Sequence, residues 1–83
     1  MKTVAFTRQA AKTLRRMPAN VAALIMAKID LYAAEPASLG NNVSKLIGRS
    51  GSRLRVGDWR VIFDEDGNVI TVLKIGPRGD VYG

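Results

Sequence analysis

Two dipeptides, Gly57-Asp58 and Asp66-Gly67, cut the second half of this 83-residue chain into three short apolar segments. Glycine reaches the positive φ that tight hairpin turns require and Asp tolerates turn geometry, so the segments on either side of each dipeptide are expected to run antiparallel. Arg53-Leu54-Arg55-Val56 alternates charged with aliphatic, Trp59 to Phe63 is aromatic and β-branched, and Val69 to Ile75 is nearly continuously apolar. Each has the composition of a strand. Together they predict an antiparallel meander whose apolar face must be covered by a second layer.

The first half supplies that layer. Lys2 to Phe6 favours extended backbone, and Thr7 is a good N-cap for a helix beginning at Arg8. From Arg8 to Met17, Ala10, Ala11, Leu14 and Met17 recur at three and four, while Arg8, Lys12, Arg15 and Arg16 take much of the remaining surface. Pro18 separates this helix from a second, whose apolar positions Val21, Leu24, Ile25, Ile29 and Tyr32 lie in an alanine-rich segment ending near Glu35-Pro36. Ala37 to Asn42 reads as a loop, and Val43 to Ile47 as a short strand before Gly48-Arg49-Ser50-Gly51. The expected fold is α+β, a single domain over 1–83 with two N-terminal helices packed on a twisted antiparallel β-sheet.

With no Cys and no His, the chain lacks disulfides, thiol nucleophiles, the commonest metal ligand and the commonest general base. Basic residues interrupt the N-terminal stretch, which predicts no secretory signal and a cytoplasmic protein. Thirteen Lys and Arg against seven Asp and Glu leave a net charge of +6, which favours a polyanionic partner. No acidic residue precedes Asp30, and Lys45, Arg49, Arg53, Arg55 and Arg60 face only Asp58 in the stretch they span.

A two-residue turn at Gly57-Asp58 makes Val56 face Trp59, and the next pair outward is Arg55 with Arg60. Alternation then sends Leu54, Val56, Trp59, Val61 and Phe63 to the core and Arg53, Arg55 and Arg60 to the other face. Like charges directly opposite are mildly destabilising, so the pair is a poor structural choice unless an anion or carboxylates offset it. Guanidinium forks match phosphate oxygens well. The returning third strand brings Arg78 toward Arg60, with Tyr82 beyond it; the structural alternative pairs Arg78 with Asp80 and packs Tyr82 on the sheet. The basic residues of the first helix are either a solvated face or a contact for an acidic protein or nucleic acid. Asp64, Glu65 and Asp66 read as a solubilising hairpin end.

Leu46-Ile47-Gly48, Arg53-Leu54-Arg55, Asp58-Trp59-Arg60-Val61-Ile62-Phe63 and Ile75-Gly76-Pro77-Arg78-Gly79-Asp80-Val81-Tyr82 together resemble the RelE/ParE superfamily of toxins from type II toxin–antitoxin systems. The resemblance implies a microbial-ribonuclease-like fold. In the RelE branch it implies a toxin that enters the ribosomal A site and cleaves the messenger; in the ParE branch, an inhibitor of DNA gyrase. Arg60 and Arg78 match family catalytic arginines, Tyr82 looks like the family's functional tyrosine, and Arg55 aligns with a basic strand position. Arg53 stands where well-studied members carry a lysine, and Gly51 occupies a second such position. The resemblance thus implies a ribosome-dependent messenger endoribonuclease with Arg55, Arg60, Arg78 and Tyr82 as its site and no metal or organic cofactor. Arg53, Lys45 and Arg49 are then expected to contact RNA. An acidic antitoxin that also binds operator DNA is expected on Arg8, Lys12, Arg15 and Arg16. The rival readings are a gyrase inhibitor and a binding module without catalysis.

Overall fold

The protein is described by a computed structural model over residues 1–48 and 50–79. Strand β1 spans Thr3–Phe6, helix α1 Arg8–Arg16, helix α2 Ala19–Ala34, strand β2 Val43–Lys45, β3 Ser52–Val56, β4 Trp59–Asp66 and β5 Val69–Pro77. The five strands form one sheet in the order β1-β5-β4-β3-β2. Strands β2 to β5 are the expected antiparallel array, but β1 pairs parallel with β5, Thr3 with Val69 through Phe6 with Val72, so the sheet is mixed. Strand composition carries no direction, which is why the sequence reading missed the parallel pair.

Both hairpins use glycine at the first central position. Gly57 has φ +58 and Gly67 φ +59, and neither following residue has positive φ, which is the φ pattern of a type II′ turn. The second turn is displaced one residue from expectation, because Asp66 pairs with Val69 and leaves Gly67-Asn68 at its centre.

Thr7 caps α1, its Oγ1 accepting from the Ala10 N–H at 3.2 Å. The same hydroxyl donates to the Leu73 carbonyl at 2.8 Å. Leu73 is the extra residue of a bulge in β5, since Ile62 pairs with Lys74 and Phe63 with Val72. Bulges leave backbone groups without ladder partners. Thr7 thus satisfies one of them while starting the helix.

Ala10 from α1, with Ile25, Ile29 and Ala33 from α2, buries against Leu54, Val56, Val61, Phe63, Ile70, Val72 and Ile75 of the sheet, and Trp59 packs half-buried at the margin. Each large aliphatic or aromatic side chain so buried contributes roughly 1.5–3 kcal/mol. Ile62 is buried too, but its parity puts it on the opposite face. Residues Pro36–Asn42 form short 3₁₀ turns pinned by the buried side chain of Leu39, where Ala37 to Asn42 was expected as a loop. No described helix is long and apolar enough to cross a membrane.

Candidate functional site

Arg55 pairs with Arg60 on the face turned away from the helices, and Val56 with Trp59 on the core side, the register expected from a two-residue turn. Across the other edge of β4, Arg60 pairs with Gly76 and Trp59 with Pro77. Glycine presents no side chain beside Arg60, and the chain continues directly into Arg78, whose backbone N–H donates to the Asp58 carbonyl at 2.7 Å. The turn that sets the Arg55–Arg60 register therefore also anchors Arg78.

The Arg60 guanidinium folds back over that turn. Its Nη1 donates to the carbonyls of Gly57 at 2.8 Å and Trp59 at 2.9 Å. These carbonyl dipoles offset part of the charge facing Arg55 and fix the orientation of the fork. Arg53 Nη2 donates to the Ser44 hydroxyl at 3.5 Å, and Asn42 Nδ2 to the Arg55 carbonyl at 3.5 Å.

Arg53, Arg55 and Arg60 floor a basin of about 390 Å³, closed on the β5 side by Arg78 and Gly79 and on the β2 side by Asn41, Asn42 and Ser44. Among the described residues, no carboxylate lines it. Four guanidinium groups gathered in one basin form a site for an anion with several oxygens, and phosphodiesters fit that chemistry.

Other expected site residues lie elsewhere. Lys45 pairs with Ser52, which pairs with Phe63, so the pleat turns Lys45 to the helix face, opposite Arg53. There it borders a second, larger hollow of about 1100 Å³ with Tyr32 and Glu65. Arg8, Lys12, Arg15 and Arg16 are exposed on α1, in the helix layer. Arg49, Tyr82 and Asp80 lie outside the described residues. The sequence reading overlooked Asn41, Asn42 and Ser44, since a loop assignment says nothing about where its side chains gather.

It also underrated Glu65. That carboxylate pairs with Lys2, which further donates to the Gly67 carbonyl, and accepts from the Tyr32 hydroxyl at 2.8 Å. The Lys2 and Tyr32 hydrogen bonds hold Glu65 below the usual carboxylate range. Burial, aided by the bond to Glu65 and its charge, pushes Tyr32 up to about 12. The Tyr32 ring packs on Phe63 with centroids 5.1 Å apart. This network ties β1 and α2 to the end of the β4–β5 hairpin.

Gly51 explains its own departure from lysine. Its φ is +108, and an added Cβ would lie 3.0 Å from Asp64 Oδ1 and 3.2 Å from the Phe63 carbonyl. A side chain cannot occupy this position without moving β4 or the loop.

The family model described as ParE toxin of type II toxin–antitoxin system, parDE, matches residues 4–82. The chain belongs to the RelE/ParE superfamily of toxins. Among solved structures, the archaeal RelE–RelB complex from Pyrococcus horikoshii is similar at 30% identity, covering 96% of this chain and 98% of that one with a TM-score of 0.79. The RelB–RelE antitoxin–toxin complex from Methanococcus jannaschii matches at 20% identity over 94% of each chain with a TM-score of 0.74. The intact RelBE toxin–antitoxin complex of E. coli matches at 22% identity over 93% of this chain and 96% of that one with a TM-score of 0.70. The last two similarities concern the fold. No curated protein sequence matches significantly.

Proposed function

We propose that this toxin is a ribosome-dependent messenger endoribonuclease of the RelE type, acting in the cytoplasm at the ribosomal A site. The observation that carries the reading is the convergence of Arg53, Arg55, Arg60 and Arg78 on one basin. Attack of a 2′-oxygen on the adjacent phosphorus forms the new P–O bond as the bond to the 5′-oxygen breaks. One proton leaves the 2′-hydroxyl and one reaches the 5′-oxygen. Charge accumulates on the phosphorane oxygens, where preorganised guanidinium groups act most strongly. Arg60, clamped by two carbonyls, and Arg55 beside it suit that task. Arg78 is assigned to the leaving oxygen, and Arg53 to an RNA phosphate. Tyr82 is assigned to the 2′-hydroxyl on the family resemblance. In-line geometry is left to the ribosome, which suits a site without an evident strong base.

An acidic antitoxin is the natural partner of this surface. RelE relatives form complexes with RelB. The exposed basic side chains of α1 and the arginine face are the surfaces assigned to it.

A second reading is favoured by the family model, whose description is that of a ParE toxin. In that case the target is DNA gyrase and the basin binds without cleaving. Purified toxin added to programmed ribosomes, with messenger 5′ ends mapped by primer extension, separates the two. The expected result is cleavage confined to the A-site codon, absent without ribosomes, and reduced about 10²-fold or more in Arg60→Ala. Intact messenger from a folded, toxic protein that blocks gyrase supercoiling establishes the second reading instead.

A further inference from the structure

Phosphate contacts position a nucleic acid but carry no sequence information. A floor of arginines therefore holds any messenger equally, and a choice among bases must come from other side chains in the same basin. Asn41, Asn42 and Ser44 form its β2-side wall and are the neutral polar side chains among its described lining. Of these, only the asparagine amides present a carbonyl acceptor and an NH₂ donor side by side.

The fold gives these amides little structural work. Neither residue has positive φ, so the left-handed conformation that often selects Asn is not the reason for them. Asn41 is exposed, and its amide makes no hydrogen bond to a described residue. Asn42 donates to the Arg55 carbonyl at 3.5 Å, the long limit of a hydrogen bond. Yet their backbone is held at both ends. Leu39 is buried three residues before Asn42, and Val43 directly after it pairs with Leu54 of β3. The backbone that carries the amides is thus fixed relative to Arg53 and Arg55 on the neighbouring strand.

We infer that Asn41 and Asn42 read a nucleobase of the RNA whose phosphates lie on the arginines, and that they favour adenine. On the edge that carries N7, adenine alone sets a donor, N6, beside an acceptor, N7, which an amide matches, and single-stranded RNA exposes that edge to such pairing. The inference rests on the basin being the RNA site proposed above.

The test uses programmed ribosomes carrying messengers that differ only in the A-site codon, with initial cleavage rates compared for wild type, Asn41→Ala, Asn42→Ala, the double variant and Arg60→Ala. Wild type is expected to prefer adenine-containing codons by at least about fivefold. The double variant is expected to flatten that preference while retaining its melting temperature. Arg60→Ala is expected to lower all codons by a common factor. A preference that survives in the double variant, or a wild type indifferent to adenine, overturns the inference while leaving the nuclease reading intact. A wild type that cleaves nothing removes both.

Discussion

Arg55 and Arg60 stand directly opposite one another across the β3–β4 ladder, with only the Val56–Trp59 pair between them and the Gly57-Asp58 turn. Directly opposed side chains begin about 4.5–5.5 Å apart at Cβ, so two guanidinium groups here repel. Arg55→Gln is therefore expected to raise stability by about 0.5 kcal/mol while weakening RNA binding. The urea midpoint and binding of a short single-stranded RNA at fixed salt check both halves. A variant that is less stable than wild type would show that the arginines are already offset within the free protein.

Gly51 has φ +108 and no room for a Cβ beside Asp64 and the Phe63 carbonyl. Gly51→Ala is expected to cost about 1–3 kcal/mol, and Gly51→Lys at least as much. Asp64→Ala removes the 3.0 Å contact but not the backbone strain, so it should rescue Gly51→Ala only in part. Urea melts of the single and double variants measure this, and a neutral Gly51→Ala would refute it.

The Lys2–Glu65–Tyr32 network predicts the shape of the pH–stability curve. Glu65 is held below its ordinary value of 4.5, so its contribution is present above that pH and is lost as pH falls through the lowered folded value. Tyr32 is raised from 10.0 to about 12, so its contribution is complete below pH 10 and is lost between 10 and 12. Tyr32→Phe should remove that alkaline loss and make the acid limb shallower, because Glu65 loses one donor. Denaturant midpoints across pH for both proteins decide it; equal alkaline slopes would count against the network.

Helix α1 has Arg15 and Arg16 in its last turn, where the helix dipole favours them, but Arg8 stands at its first residue, where the dipole does not. A purely structural role leaves Arg8 unexplained, whereas an acidic partner accounts for the whole exposed set. The double reversal Lys12→Glu with Arg15→Glu is expected to weaken antitoxin binding by about tenfold or more at low salt, with a smaller loss at high salt as screening shortens the reach of the charges. Isothermal titration with the purified antitoxin tests it, and unchanged affinity would move the antitoxin off this helix.

The two hairpins, the helical pair, the core face of Leu54, Val56, Trp59, Val61 and Phe63 with Arg53, Arg55 and Arg60 opposite, and the Arg55–Arg60 register were all legible in the order of residues. Each rests on a short-range rule: side chains alternate at a period of two, glycine permits a two-residue turn, and such a turn leaves a single register for the strands it joins. The approach of Arg78 to Arg60 was legible only as the antiparallel return of the third strand, because the displaced turn and the bulge at Leu73 set the register that pairs Arg60 with Gly76. Long-range packing, by contrast, set the parallel β1–β5 pair, the bulge that Thr7 completes from 66 residues away, the helix-side placement of Lys45, and the arrival of Asn41 and Asn42 at the arginine basin. Residues 46–51 between β2 and β3 impose no register by their length, and nothing local joins β1 to β5. These placements depend on which long-range closure buries Leu39, Val43 and Phe6 against the rest of the core, a choice that only the assembled layers make.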